Sequence, residues 1–214
     1  MSGRKSYIAV EGVIGAGKTS MARKMAERLG ARLVLEEAEG NPFLTEFYRD
    51  RKRFAFQTQL SFLVQRCGQA QLISQQDMFR RVTISDYLLE KDRVFASVNL
   101  SERELTLYNK LAKVLSVEIP TPDLVVYLVA RADVQLKRIK KRGRPYEKDI
   151  DKAYLQALSA AYNNFFFHYS AAPVIVVDTS DTDLERDAKA FEAILKLVRR
   201  HEGGTLYYRP TGDA

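Results

Sequence analysis

The stretch Gly12–Thr19, "GVIGAGKT", fits the pattern G-x-x-x-x-G-K-[ST]. Glycines at 12, 15 and 17 let the backbone turn its N–H groups onto phosphate oxygens, at a helix N-terminus whose dipole favours anions. The amides of Gly12, Val13, Ile14, Gly15, Ala16 and Gly17 form that cradle. Lys18 is spaced to reach the β- and γ-phosphates of a nucleoside triphosphate, and the Thr19 hydroxyl is placed to ligate Mg²⁺. The loop alone says that ATP or a similar nucleotide binds. What receives a phosphoryl group must come from other residues.

Two further clusters bear on that. "KRIKKRGR" at 137–144 holds six basic residues in eight. Arg138 and Arg142 lie four apart on one helical face, and Arg144 sits beyond the Gly143 hinge, a pattern suited to a lid that closes positive charge over a transferred phosphoryl group. "LEEAEGN" at 35–41 is acidic, with Glu36, Glu37 and Glu39 and no basic residue until Arg49. An acceptor hydroxyl must lose a proton and profits from a carboxylate, whereas an acceptor phosphate calls for arginines. The acidic stretch therefore predicts a hydroxyl acceptor. Ser85-Asp86 closes another short apolar run, where a carboxylate can serve Mg²⁺ directly or through water. The marks of a guanine-nucleotide switch are missing: "NKLA" at 109–112 lacks the Asp of Asn-Lys-x-Asp, and there is no Asp-x-x-Gly.

These residues need a frame. Tyr7–Val10 reads as a buried strand and 18–29 as a helix with Ala22, Met25, Ala26 and Leu29 on one face, closed by Gly30. "RLVLEE" and "RRVTISD" read as strands, with helices opening at Asn41-Pro42 and running over 53–77 and 87–98. A capping box, Ser101 to Glu104, starts a helix with Leu105, Tyr108, Leu111 and Leu115 inward. "LVVYLVA" carries no polar alternation and predicts a central strand. A basic helix, a Gly-Arg-Pro turn, a helix through "NNFFFHY", a strand "VIVV" and a helix over 183–200 follow. The alternation predicts one α/β domain over residues 1–200, a doubly wound, five-stranded parallel sheet with helices on both faces and an arginine lid at about 138–149. Residues 201–214 show no periodicity and are expected to form a flexible tail.

The chain has 214 residues, one cysteine and a net charge of +7. The single Cys67 excludes an internal disulfide and fits a reducing cytoplasm. Two histidines, His168 and His201, without a Cys/His/carboxylate cluster argue against zinc. No apolar run approaches the ~18 residues of a membrane span. The positive charge suits an anionic partner, which leaves a nucleic-acid-binding ATPase as a rival reading, although the expectation is a small-molecule partner and no nucleic acid.

Taken together, these residues resemble the deoxynucleoside kinase family over about residues 5 to 200. "YIAVEGVIGAGKTS" is similar to that family's opening strand and loop, though a thymidylate-type monophosphate kinase shares it. The resemblance implies roles that spacing alone does not supply. Glu36 falls on the Glu that deprotonates the sugar 5′-hydroxyl, Tyr48 on the Tyr that touches the 3′-hydroxyl, and Gln57 of "FAFQTQ" on the bidentate reader of the base. Asp86 matches the acid of a Glu/Asp-Arg-Ser motif, Asp92 approaches the base, and Glu147 is the lid acid at the 3′-hydroxyl. "VVDTSDTDLERD" is similar to the loop that cups adenine, and a homodimer is implied. Three departures stand out. Tyr87 and Leu88 follow Asp86, so the motif arginine is missing and its task falls to a lid arginine or Arg93. The base-reading arginine belongs seven residues after the Gln, where this chain has Val64, and Arg66 is the nearest candidate. Glu37 competes with Glu36, which is preferred on spacing. The preferred base stays open.

Overall fold

The computed structural model of the protein describes residues 5–74, 82–115 and 120–210. Six parallel strands form one sheet: β1 (Tyr7–Gly12), β2 (Arg32–Val34), β3 (Thr83–Ser85), β4 (Leu124–Val129), β5 (Val174–Asp178) and β6 (Thr205–Tyr208), in the spatial order β2-β3-β1-β4-β5-β6. The order reverses beside β1, and such a switch point leaves a crevice beyond the carboxyl ends of the strands. Helices cover both faces: α1 (Lys18–Leu29), α2 (Leu44–Arg49), α3 (Arg51–Ser74), α4 (Lys91–Asn99), α5 (Glu102–Val114), α6 (Ala132–Arg142), α7 (Lys152–His168) and α8 (Ala188–Arg200).

The unbroken apolar character of "LVVYLV" has a direct cause. Along β4, Val125 and Tyr127 face one core, shared with α3, α4 and α7, while Leu124, Val126 and Leu128 face another, shared with α1 and α8. Strands β1 and β5 divide the same way, so a polar residue on either face would be buried.

Four expectations are corrected. The sheet has six strands, because Thr205–Tyr208 pair with β5 from Val174↔Thr205 to Val177↔Tyr208. That stretch was expected to be part of a tail; its signal is weak because only Leu206 and Tyr208 turn inward while Tyr207 is exposed. The helix expected over 87–98 starts at Lys91, after a bend at 86–90. Leu115 is exposed rather than inward. The end of the predicted 53–77 helix, residues 75–77, lies outside the described residues.

Candidate active site

The phosphate loop leaves β1 and enters α1 as the sequence requires. Gly15 takes φ 80°, and a Cβ there would lie 2.6 Å from the backbone oxygen of Gln135 on α6, so the loop and α6 touch through backbone. Lys18 Nζ folds back to donate to Gly12 O at 2.7 Å. Burial pushes its ammonium below the ordinary lysine value, and the charge of Lys91 adds to that. Glu11, fully buried within β1, accepts from Gly12 N at 2.7 Å and from Leu88 N at 2.6 Å. It ties the phosphate loop to the bend at 86–90. An acid inside the apolar run "YIAVEG" was its only trace in the sequence.

Asp86 is the hub at the strand ends. Its Oδ2 accepts from the Thr19 hydroxyl at 2.6 Å and its Oδ1 from the Glu36 amide at 2.7 Å. Two hard oxygen donors thus meet beside the phosphate loop, the ligand chemistry that Mg²⁺ takes. Asp86 does not cap the following helix, whose N-cap is Glu90.

Glu36 lies at the centre of a buried charge network. Arg66 Nη2 donates to Oε1 at 2.7 Å, and Lys91 Nζ to Oε2 at 2.6 Å. Burial by itself would raise the Glu36 carboxyl, but Lys91 and Arg66 outweigh it and hold it well below the usual carboxylate range. Arg66 also pairs with Asp92, and both side chains are about 6% exposed. Burial pushes the Asp92 carboxyl up to about 6, against the opposing pull of Arg66 and Lys91. Glu37 lines the same cavity as Glu36, but it is Glu36 that Arg66 and Lys91 bind.

These groups open into one cavity of about 700 Å³. Lys18, Thr19, Glu36, Tyr48, Arg66, Asp86, Asp92, Arg142, Arg144 and Glu147 all line it, together with Ile14 of the loop. Phe47, Phe62 and Phe95 supply apolar walls.

Gln57 does not line it. Its side chain is exposed on α3, whereas Gln59 is buried in the wall with its amide oxygen unpartnered. Two residues are ~200° around a helix, so the two glutamines point to opposite sides. Arg66 then stands seven residues after the glutamine that faces the cavity, which removes the apparent departure at Val64. The alternation of glutamines in "FQTQ" held that information, and only the helix phase selects between them.

The lid is divided. Arg142 grips the buried Glu147 through Nε at 3.1 Å and Nη2 at 2.7 Å, and Arg144 approaches Glu147 and Glu39. Tyr146 of the same turn stacks on Tyr48 with centroids 6.3 Å apart. Arg138 points elsewhere: it donates to Ala16 O at 3.3 Å, Thr179 Oγ1 at 3.0 Å, Thr179 O at 2.6 Å and Thr182 O at 3.1 Å. It fastens the loop after β5 to the phosphate loop instead of facing the cavity. Arg93, a candidate for the missing motif cation, is exposed. The helix cannot carry it from Asp86 because it begins only at Lys91.

Known proteins resemble this chain over most of its length. The profile of the deoxynucleoside kinase family matches residues 8–201. A deoxyguanosine kinase of Bacillus subtilis is 34% identical over 198 residues, covering 90% of this chain and 96% of its own. A deoxyadenosine/deoxycytidine kinase of the same organism is 30% identical, covering 91% and 92%. Among solved structures, deoxyadenosine kinase from M. mycoides, with products dCMP and a flexible dCDP bound, superimposes with a TM-score of 0.77 at 28% identity, covering 90% of this chain and 98% of that one. With the profile spanning nearly the whole domain and relatives this similar along their full length, the chain belongs to the deoxynucleoside kinase family.

Proposed function

We propose that the protein transfers the γ-phosphoryl group of ATP to the 5′-hydroxyl of a deoxynucleoside, a reaction of nucleotide salvage. The observation that carries this reading is the meeting of Lys18, Thr19, Asp86 and Glu36 in the lining of one cavity large enough for a nucleoside. Loop amides and Lys18 hold the β- and γ-phosphates. Thr19 and Asp86 would hold Mg²⁺, which supplies charge neutralisation along the phosphates when bound. Glu36 orients the 5′-hydroxyl and accepts its proton. A carboxylate held this strongly ionised is a weak base, which suits a loose phosphoryl-transfer transition state in which little proton movement is needed early. Arg142 and Arg144 leave Glu147 and Glu39 to close over the developing charge, and Tyr48 and Glu147 contact the sugar.

Gln59, Arg66 and Asp92 read the base. A monophosphate acceptor fits poorly, because the arginine nearest the acceptor, Arg66, is already neutralised by Glu36 and Asp92. The single thiol of Cys67 suits a reducing cytoplasm. We also propose a homodimer, formed through exposed Val64 on α3 and Leu107, Val114 and Leu115 along α5. The test is direct: incubate the protein with ATP, Mg²⁺ and each of the four deoxynucleosides and measure 5′-monophosphate. Transfer to one or more is expected. ATP hydrolysis stimulated by DNA, with no transfer to any nucleoside, would sink the reading.

A further inference from the structure

The arginine that the resemblance led us to expect directly after Asp86 is Tyr87 here, and Tyr87 is fully buried in the core. A cation is nevertheless present at the reacting centre. Lys91 opens α4 five residues beyond Asp86, and the bend at 86–90 turns its side chain back into the cavity. Its side chain is 5% exposed, and among the described residues its one hydrogen-bond acceptor is Glu36 Oε2 at 2.6 Å. An ammonium carries three donors and is costly to bury with one satisfied. Besides the Phe95 ring, 5.9 Å away, Lys91 meets the cavity that also holds Lys18, Thr19 and Asp86, the groups around a transferred phosphoryl. Lys18 and Lys91 line the same cavity, and the charge of Lys91 helps to push the Lys18 ammonium below its ordinary value.

We infer that Lys91 is the catalytic cation of this protein, donating to the transferred phosphoryl group and the 5′ oxygen in place of the missing motif arginine. The inference rests on the proposed transfer reaction. A lysine does this as a point charge from a flexible stem, without the two-pronged grip of a guanidinium. Its attachment to Glu36 keeps it beside the attacking oxygen before ATP arrives. Arg93 does not compete because it is exposed, and the lid arginines reach the charge only after leaving Glu147 and Glu39, whereas Lys91 already sits on Glu36.

The experiment compares Lys91→Met, Lys91→Arg and, as a control, Arg93→Met. Wild type is assayed first against all four deoxynucleosides, and its failure to transfer would remove the proposed function rather than Lys91. Given transfer, Lys91→Met should lower kcat about 10²-fold or more, the range for removing one donor to developing charge. ATP and nucleoside dissociation constants should shift less than about 5-fold, the loss should persist from pH 6 to 9, and Lys91→Arg should recover part of the rate. Arg93→Met should match wild type. If Lys91 only balances Glu36, the Met variant would lose activity on the acid side and regain it at alkaline pH, which overturns the inference. An unchanged kcat, or a loss confined to KM, also overturns it. Should Lys91→Met not fold, Lys91→Gln and Lys91→Arg carry the same comparison.

Discussion

At the scale of single residues, the site is a set of charges whose partners decide their chemistry. Glu36→Gln keeps the shape but removes the acceptor for the hydroxyl proton, so kcat should fall by about 10²–10⁴-fold, the range for a positioned base, with little change in ATP affinity. An unaltered turnover number would take Glu36 out of the role. Gln59→Leu should raise the nucleoside KM by at least about 10-fold, the cost of losing one buried hydrogen-bonding group, while Gln57→Leu leaves it unchanged. Equal effects from the two substitutions would contradict the cavity geometry. Asp92 gives a pH signature. Unfolded, it releases its proton near 3.9; folded, it holds it to about 6. The native state binds the extra proton between these values, so this contribution is complete below the lower value and is lost as pH rises through about 6. Glu36 acts with opposite sign and at lower pH, since its folded value is depressed and its contribution is lost only on strong acidification. The stability difference between wild type and Asp92→Asn, followed by thermal unfolding from pH 4 to 7, should therefore change most steeply near about pH 5, midway between the two values, and level off above about pH 6. A difference independent of pH would show that burial does not perturb Asp92.

At the scale of elements, α6 shows how one basic face does two jobs. Arg138 spends its guanidinium on three backbone carbonyls and one hydroxyl, joining Ala16 to Thr179 and Thr182. Arg142, one turn on, reaches the cavity. Arg138→Met should cost about 2 kcal/mol of stability, the scale of hydrogen bonds to a charged donor, and raise the KM for ATP as the loop after β5 loosens. Lys137→Met, on the exposed side of the same helix, should change neither. Urea titration and initial-rate kinetics check both. The four-residue spacing that marks these arginines as sharing a helix face was visible in the sequence. Which neighbour each one meets was not, because that depends on how α6 lies against the phosphate loop. The bend at 86–90 is a similar case: Glu11, on the strand beside β3, accepts from the Leu88 amide, and the helix starts only at Lys91.

The whole molecule adds a sheet edge and an unpaired apolar face. Val64 is 61% exposed and Val114 83% exposed, with Leu107 two turns before Val114 on the same side of α5. The proposed dimer would bury these groups. Val114→Glu together with Leu107→Glu should shift sedimentation from dimer to monomer without changing the fold seen by circular dichroism. A wild type that sediments as a monomer at micromolar concentration would refute the dimer.

What the sequence determined on its own was whatever depends on local order. The phosphate loop, the sheet with both faces covered, the acidic strand end and the arginine pair on α6 follow from spacing and periodicity within a dozen residues. The tertiary structure decided what depends on phase and distance. Helix rotation chose Gln59 over Gln57, the docking of α6 turned Arg138 away from the cavity, and β6 closed an edge that four residues of weak pattern did not announce. Lys91 belongs to the same class. Its ammonium meets Glu36 across 55 residues of chain, and only the fold brings two such distant charges within 2.6 Å.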